Sequence, residues 1–145
     1  MKIVIRKMRQ ADIPDVIELG EETPEIKTGT SLPQFYGREM LMRWIKRRQS
    51  ILLVAEVDGL FAGFRIADYN PAAQSGYLEM IAVKNKFRNQ GVGKKLTEET
   101  LRRLKKMGCD NVWCIIQAKN KRAQAIYESY GFVRGDPFFA YEKKL

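Results

Sequence analysis

Residues 88–93 read Arg-Asn-Gln-Gly-Val-Gly, and they stand between an apolar stretch at 77–83 and a long amphipathic one. The start of a helix leaves four backbone N–H groups with no partner inside the helix, so a turn that bares them can hold an anion. Gly91 and Gly93 lack a Cβ; each can take a positive φ and let a bulky phosphate approach the main chain. Arg88, Lys94 and Lys95 add positive charge around that point. Two glycines alone would favour a plainer reading, a tight strand-to-helix turn, so the surrounding residues must decide.

Spacing excludes two familiar phosphate loops. A Walker loop requires a glycine where Arg88 stands and a Ser or Thr where Lys95 stands. A dinucleotide fingerprint beginning at Gly91 requires a small residue where Leu96 stands.

The segment does match the pattern Arg/Gln-x-x-Gly-x-Gly/Ala, inside residues 78–96, LEMIAVKNKFRNQGVGKKL. A second stretch, Asn120-x-x-Ala123-x-x-Ile126-Tyr127-x-x-x-Gly131-Phe132, follows it. Together, in this order, the two stretches resemble the acetyl-CoA segment and the Asn-x-x-Ala-x-x-x-Tyr-x-x-x-Gly-Phe signature of the GCN5-related N-acetyltransferase (GNAT) family. The resemblance covers about the C-terminal half; the N-terminal half agrees only in its pattern of elements. It implies a single α/β domain over residues 1–145 with a mixed central sheet of about six to seven strands and four helices. The implied order is β-α-α-β-β-β-α-β-α-β, with a parallel crossover around the acetyl-CoA site.

The same resemblance implies acetyl-CoA as cosubstrate, no metal, and direct acetyl transfer to a primary amine. Backbone groups of Ile81, Ala82 and Val83 would bind the pantetheine arm, and one N–H there would hold the thioester oxygen. Arg88, Asn89, Gln90, Gly91, Val92, Gly93 and Lys94 would wrap the pyrophosphate, and Asn120 would bond the arm. Tyr127 would be the general acid. A phenol with a pKa near ~10 stays protonated at neutral pH and can donate to a thiolate whose conjugate acid has a pKa of about 8.5. The plainer alternative is a tyrosine packed beside Ile126, with Tyr130 as a second packing aromatic. For the base, Glu79 shares a strand face with Tyr77, Ile81 and Val83 by period two. A carboxylate merely paired with a lysine, or a relaying water, serves equally well as a reading. Ile115 occupies the place where some relatives carry a glutamate.

Composition narrows the field. The chain has 145 residues, enough to bury a core without staples, and two cysteines, too few for a disulfide framework. Cys109 and Cys114 would lie roughly 16 Å apart in an extended segment, beyond disulfide reach. With no histidine, histidine triads and histidine zinc sites are excluded. Residues 1–8 alternate and hold no apolar run of signal-peptide length, so the cytoplasm is expected and a membrane partner is not. The net charge of +9 divides into +3 over residues 1–50, −3 over 51–83 and +9 over 84–145. The excess thus follows the phosphate-binding half, where a polyphosphate ligand accounts for it. The basic stretch 94–106 contains no aromatic, which weighs against a nucleic-acid partner.

The elements that must position these residues follow from periodicity. Residues 2–7 alternate as a strand, and Asp12 with Asp15 caps a helix to about residue 22. Residues 23–30 read as a loop. Ser31-Leu32-Pro33 opens a second helix with Phe35, Leu41, Trp44 and Ile45 inward and Arg43, Lys46, Arg47 and Arg48 outward. Residues 51–57 and 60–67 form a hairpin about Asp58-Gly59. A helix at about 91–107 carries Leu96, Thr100, Leu101, Leu104 and Met107 inward, with Glu98–Arg102 and Glu99–Arg103 pairs outside. Residues 111–117 are a strand buried on both faces, 121–130 a short helix, and 138–144 a final strand. Tyr36, Trp44, Asp68 and Tyr69 are candidate contacts for an amine acceptor, small molecule, peptide or protein, and a homodimer is left open. The competing function is a catalytically silent CoA-binding or protein/nucleic-acid-interaction module on the same fold.

Overall fold

The hairpin is the organising element of the structure, a computed structural model that describes residues 1–30 and 35–145. Strand β2 (Ser50–Val57) turns at Asp58 and Gly59, whose φ values are 50° and 82°, into strand β3 (Leu60–Asn70). Two successive positive φ values match the twist of paired antiparallel strands, as the Asp-Gly pair predicts. Strand β1 (Ile3–Lys7) pairs with β2 and strand β4 (Ser75–Val83) with β3, all antiparallel. Strand β5 (Asn111–Trp113) joins β4 in parallel, and the sheet order is β1-β2-β3-β4-β5.

Helix α1 (Ile13–Glu22) and helix α2 (Arg38–Ile45) cover one face, packing Ile13, Val16, Leu41 and Trp44 against Val54, Phe64 and Ile66. The other face is covered by helix α3 (Val92–Lys106), whose Val92, Leu96 and Leu104 meet Leu53, Ala55 and Leu78. Helix α4 (Lys121–Ser129) adds Tyr127 to that second cluster. The opening of α2 expected at Ser31-Leu32-Pro33 lies outside the described residues; the described helix begins at Arg38.

Four expectations are corrected. Among the described residues the sheet has five strands, not six to seven, because residues 138–144 form no strand: Phe138, Phe139 and Tyr141 are almost fully exposed. Alternation predicts the faces of a strand but not its partner, and the neighbouring edge, β5, is three residues long. The strand expected at 111–117 stops at Trp113 and is not buried on both faces, since Asn111 and Trp113 are exposed. Asp12 does not cap α1 with its side chain; it accepts from Arg6 at 2.7 and 2.8 Å and from the Arg9 amide at 2.7 Å. Arg102 bonds Glu99 rather than Glu98, and Glu99 also takes Arg103 at 2.7 Å.

Candidate active site

The central feature is where β4 and β5 part. Their pairing runs Ser75↔Asn111, Gly76↔Val112 and Tyr77↔Trp113 and goes no further, while β4 continues to Val83. Ile81, Ala82 and Val83 therefore lie on a β4 edge that keeps its β3 partner and has no β5 partner. Such an edge offers backbone donors and acceptors to an extended ligand.

A bulge sets which side chains face which way. Ile66 pairs with Met80 and Ala67 with Leu78, so Glu79 is the extra residue of β4. The period-two expectation fails there. Ile81 and Val83 pack toward α3, whereas Glu79 turns to the α2 side and accepts a hydrogen bond from the Tyr36 hydroxyl at 3.2 Å. Burial, opposed by the Tyr36 bond and helped by nearby Asp68, raises the proton affinity of Glu79 above that of an ordinary carboxyl. Tyr36 is itself pushed up by burial and by Glu79, so it stays a donor.

At the far end of β4 the chain makes a short 3-10 turn at Asn85–Phe87 and reaches the glycine segment. Arg88 Nε donates to the Val83 carbonyl at 3.0 Å, which fastens the turn to the strand end. Asn89 and Gly91 both have positive φ, 61° and 86°. Gly93 does not; it lies within α3, and a Cβ there would meet Val83 at an ordinary 3.8 Å. Only Gly91 of the two glycines uses the left-handed freedom. The first helical bond of α3 runs from the Lys95 amide to the Gly91 carbonyl at 3.0 Å, so the amides of Val92, Gly93 and Lys94 precede any intrahelical acceptor. Left-handed residues beside right-handed ones curl successive amides into an anion-binding concavity. Charge is supplied by exposed Lys94 and Lys95 and by Arg122 of α4, which donates to the Asn89 side chain. Arg122 was not among the residues the motifs single out; only the fold brings it to the turn.

Asn120 caps α4, accepting from the Ala123 amide at 3.1 Å. Its carbonyl oxygen is thus engaged, which leaves its NH2 group able to donate. Tyr127, two helix turns on, is half-buried, edge-on to Phe132 at 5.2 Å, and its oxygen receives a hydrogen bond from Arg65 Nη1 at 2.8 Å. Arg65 is 1% exposed. Burial pushes the Cys114 thiol up, with the charge of Arg65 acting against it, and Tyr127 packs with Cys114 on the α3 side of the sheet. Tyr127 and Glu79 thus approach the slot from opposite faces of the sheet.

Next to Glu79's neighbour Tyr77, a cleft of about 590 Å3 is lined by Arg47, Asp68, Tyr69, Ser75, Tyr77 and Trp113 among others. Of the expected acceptor contacts, Asp68 and Tyr69 line it. Trp44 does not: it is buried, and its Nε1 donates to Asp68 at 3.0 Å, so it supports the cleft wall. Glu56 is engaged elsewhere, by Arg6 at 2.6 Å. Among the described residues no cluster of carboxylates and cysteines could hold a metal ion, and no helix is long and apolar enough to cross a membrane.

Comparison with known proteins agrees with this fold. The chain is similar to the N-alpha-acetyltransferase 30 of Saccharomyces cerevisiae, 33% identical over 66 residues. That match takes in 46% of this chain and 38% of the yeast protein, so the chain spans well under half of that relative's length. It is also similar to an N-alpha-acetyltransferase of Sulfurisphaera tokodaii, 22% identical over 88% of this chain and 78% of the other. The crystal structure of the PaiA N-acetyltransferase from Thermoplasma acidophilum in complex with coenzyme A superposes with a TM-score of 0.82 at 23% identity, covering 95% and 94% of the two chains. The profile of the Acetyltransferase (GNAT) family matches residues 13–132, and with that span the slot, the turn and both candidate proton carriers fall inside one match: this chain belongs to the GNAT family of acetyltransferases.

Proposed function

We propose that this protein is an acetyl-CoA-dependent N-acetyltransferase whose acceptor is the α-amine of a peptide or protein. The observation that carries the reading is the slot at Ile81–Val83 opening directly onto the amide-lined turn at 89–94. An unpaired strand edge fits an amide-bearing arm, and the curled amides with Lys94, Lys95 and Arg122 fit a diphosphate. The donor fits the residues present and, when bound, supplies an acyl group on a thiol leaving group.

Each remaining need has a residue. The acceptor arrives largely as an ammonium, since α-amino groups have pKa values near ~7.8. Glu79, with its raised proton affinity and its Tyr36 partner, takes that proton directly or through a water. A backbone N–H on the free edge of β4 holds the oxygen on which charge develops. Tyr127 gives its phenolic proton to the departing sulfur, and the second proton of the nitrogen, released as the amide forms, returns through water to the phenolate. The names of the similar proteins, N-alpha-acetyltransferases from a yeast and an archaeon, support an α-amine over a side-chain amine. The cleft beside Tyr77 gives the first residues of a peptide somewhere to lie, with Arg47 at its rim for an acidic side chain.

The test is incubation with acetyl-CoA and a library of peptides with free N-termini, followed by mass spectrometry. One acetyl group on the α-nitrogen of a subset of sequences is the expected result. CoA binding with no acetylation of any amine would instead support the silent CoA-binding module.

A further inference from the structure

Arg65 sits in the middle of β3, 1% exposed, with no carboxylate paired to it among the described residues. Of its three nitrogens only Nη1 has a hydrogen-bond partner, the Tyr127 oxygen at 2.8 Å; Nε and Nη2 are buried and unsatisfied. Its guanidinium carbon lies 5.9 Å from the Tyr127 ring centre. A buried cation held by one neutral oxygen is a poor stabilising device, and apolar residues of similar volume commonly serve such a position as well or better. Its presence at this position therefore calls for a role other than stability.

Hydrogen-bond direction supplies one. A guanidinium has donors only, so where Arg65 meets Tyr127 the phenol must accept. The phenolic proton is then barred from the Arg65 side and must point elsewhere. We infer that Arg65 is a positioning residue: its buried guanidinium, on the same α3 face of the sheet as its register neighbours Leu53 and Ile81, grips the Tyr127 oxygen and turns the phenolic proton toward the slot between β4 and β5. The inference rests on the reading of Tyr127 as general acid. It assigns Arg65 no contact with the substrate. With Nε and Nη2 unpartnered, Tyr127 is the sole hydrogen-bond partner of the guanidinium among the described residues.

The experiment compares Arg65→Met, Arg65→Lys, Tyr127→Phe and the Arg65→Met/Tyr127→Phe double variant for kcat, KM, coenzyme A affinity by calorimetry and Tm. In parallel, the Cζ resonance of Tyr127 is followed by NMR in the unliganded proteins with labelled tyrosine. Arg65→Met is expected to lower kcat by about 10-fold or more, the worth of a hydrogen bond from a charged group, with KM, coenzyme affinity and Tm held. Arg65→Lys, which keeps a charge and a donor, should recover part of that loss. In the double variant, removing Arg65 should cost less than about 2-fold beyond Tyr127→Phe, and the Tyr127 Cζ resonance should move in Arg65→Met. Multiplying losses, or an unmoved resonance, would overturn the inference while leaving Tyr127 in its role. Full turnover by Tyr127→Phe would overturn the general-acid reading, and the NMR shift would still report whether Arg65 holds the phenol. If Arg65→Met does not fold, Arg65→Lys and the wild-type coenzyme complex decide, a separation of Arg65 Nη1 from the Tyr127 oxygen beyond about 3.5 Å being contrary.

Discussion

The Tyr36 hydroxyl donates to Glu79 Oε2 at 3.2 Å, tying the segment ahead of α2 to the one residue of β4 that its bulge turns out of register. The bond holds Glu79 on the α2 side of the sheet while burial keeps its proton affinity high. It gives the carboxylate we propose as base a fixed orientation.

Glu79→Gln should therefore lower kcat and erase the acid limb of its pH profile. With the carboxyl raised, the ionised base forms only above the ordinary glutamate value of about 4.3, so wild-type activity should climb with pH through that higher value. Tyr36→Phe removes the bond that opposes the rise, and should shift the limb further upward. A Glu79→Gln enzyme with an unaltered limb would remove Glu79 from the mechanism and leave a water relay.

Tyr127→Phe keeps the ring that packs on Phe132 and deletes the proton. Turnover should fall by roughly 10²-fold while coenzyme A binds as before. Equal kcat in the two proteins would return Tyr127 to a packing role.

Gly91 has φ 86° at the start of α3, a conformation costing an L residue about 1–2 kcal/mol. Space is not the obstacle, because nothing lies within 4 Å of a Cβ built there. Gly91→Val should thus lower Tm slightly and weaken coenzyme A binding through distorted amides, whereas Gly93→Ala should be milder. Equal coenzyme affinity in the Gly91 variant would separate the turn from phosphate binding.

The motifs made the turn, its helix and the hairpin legible, because each depends on neighbours in the chain: Gly91 on its own φ, Asp58-Gly59 on strand twist, Leu96 and Leu104 on helical period. The bulge at Glu79 was not legible, since a register exists only against a partner strand, here Ile66 and Ala67. Arg65 lies 62 residues from Tyr127, and no spacing rule links them. A signal was present nonetheless: a single charge inside the otherwise apolar run around residues 61–67. The missing last strand shows the converse error, alternation read as a strand with no edge to receive it.

Away from the site, Arg6 joins Asp12 and Glu56 across β1, β2 and the entry to α1. Burial works against the Asp12 charge, but the bonds from Arg6 and the Arg9 amide outweigh it and hold the carboxyl below its usual range. A depressed carboxyl stabilises the fold above its unfolded pKa of about 3.9, and the contribution is lost as pH falls through the folded value. Asp12→Asn should cost about 1–3 kcal/mol at neutral pH, with the gap from wild type narrowing on acidification. A gap that stays constant down to acid pH would show that the charge is not what matters.

We propose that the amides at 89–94 seat a diphosphate and that the free edge of β4 takes the arm that follows it. A crystal structure with coenzyme A is the decisive experiment. Pyrophosphate oxygens within about 3 Å of the Val92, Gly93 and Lys94 amides, with the pantetheine arm along Ile81–Val83, is the result expected. Coenzyme bound elsewhere, or a turn left empty at saturating coenzyme, would contradict it.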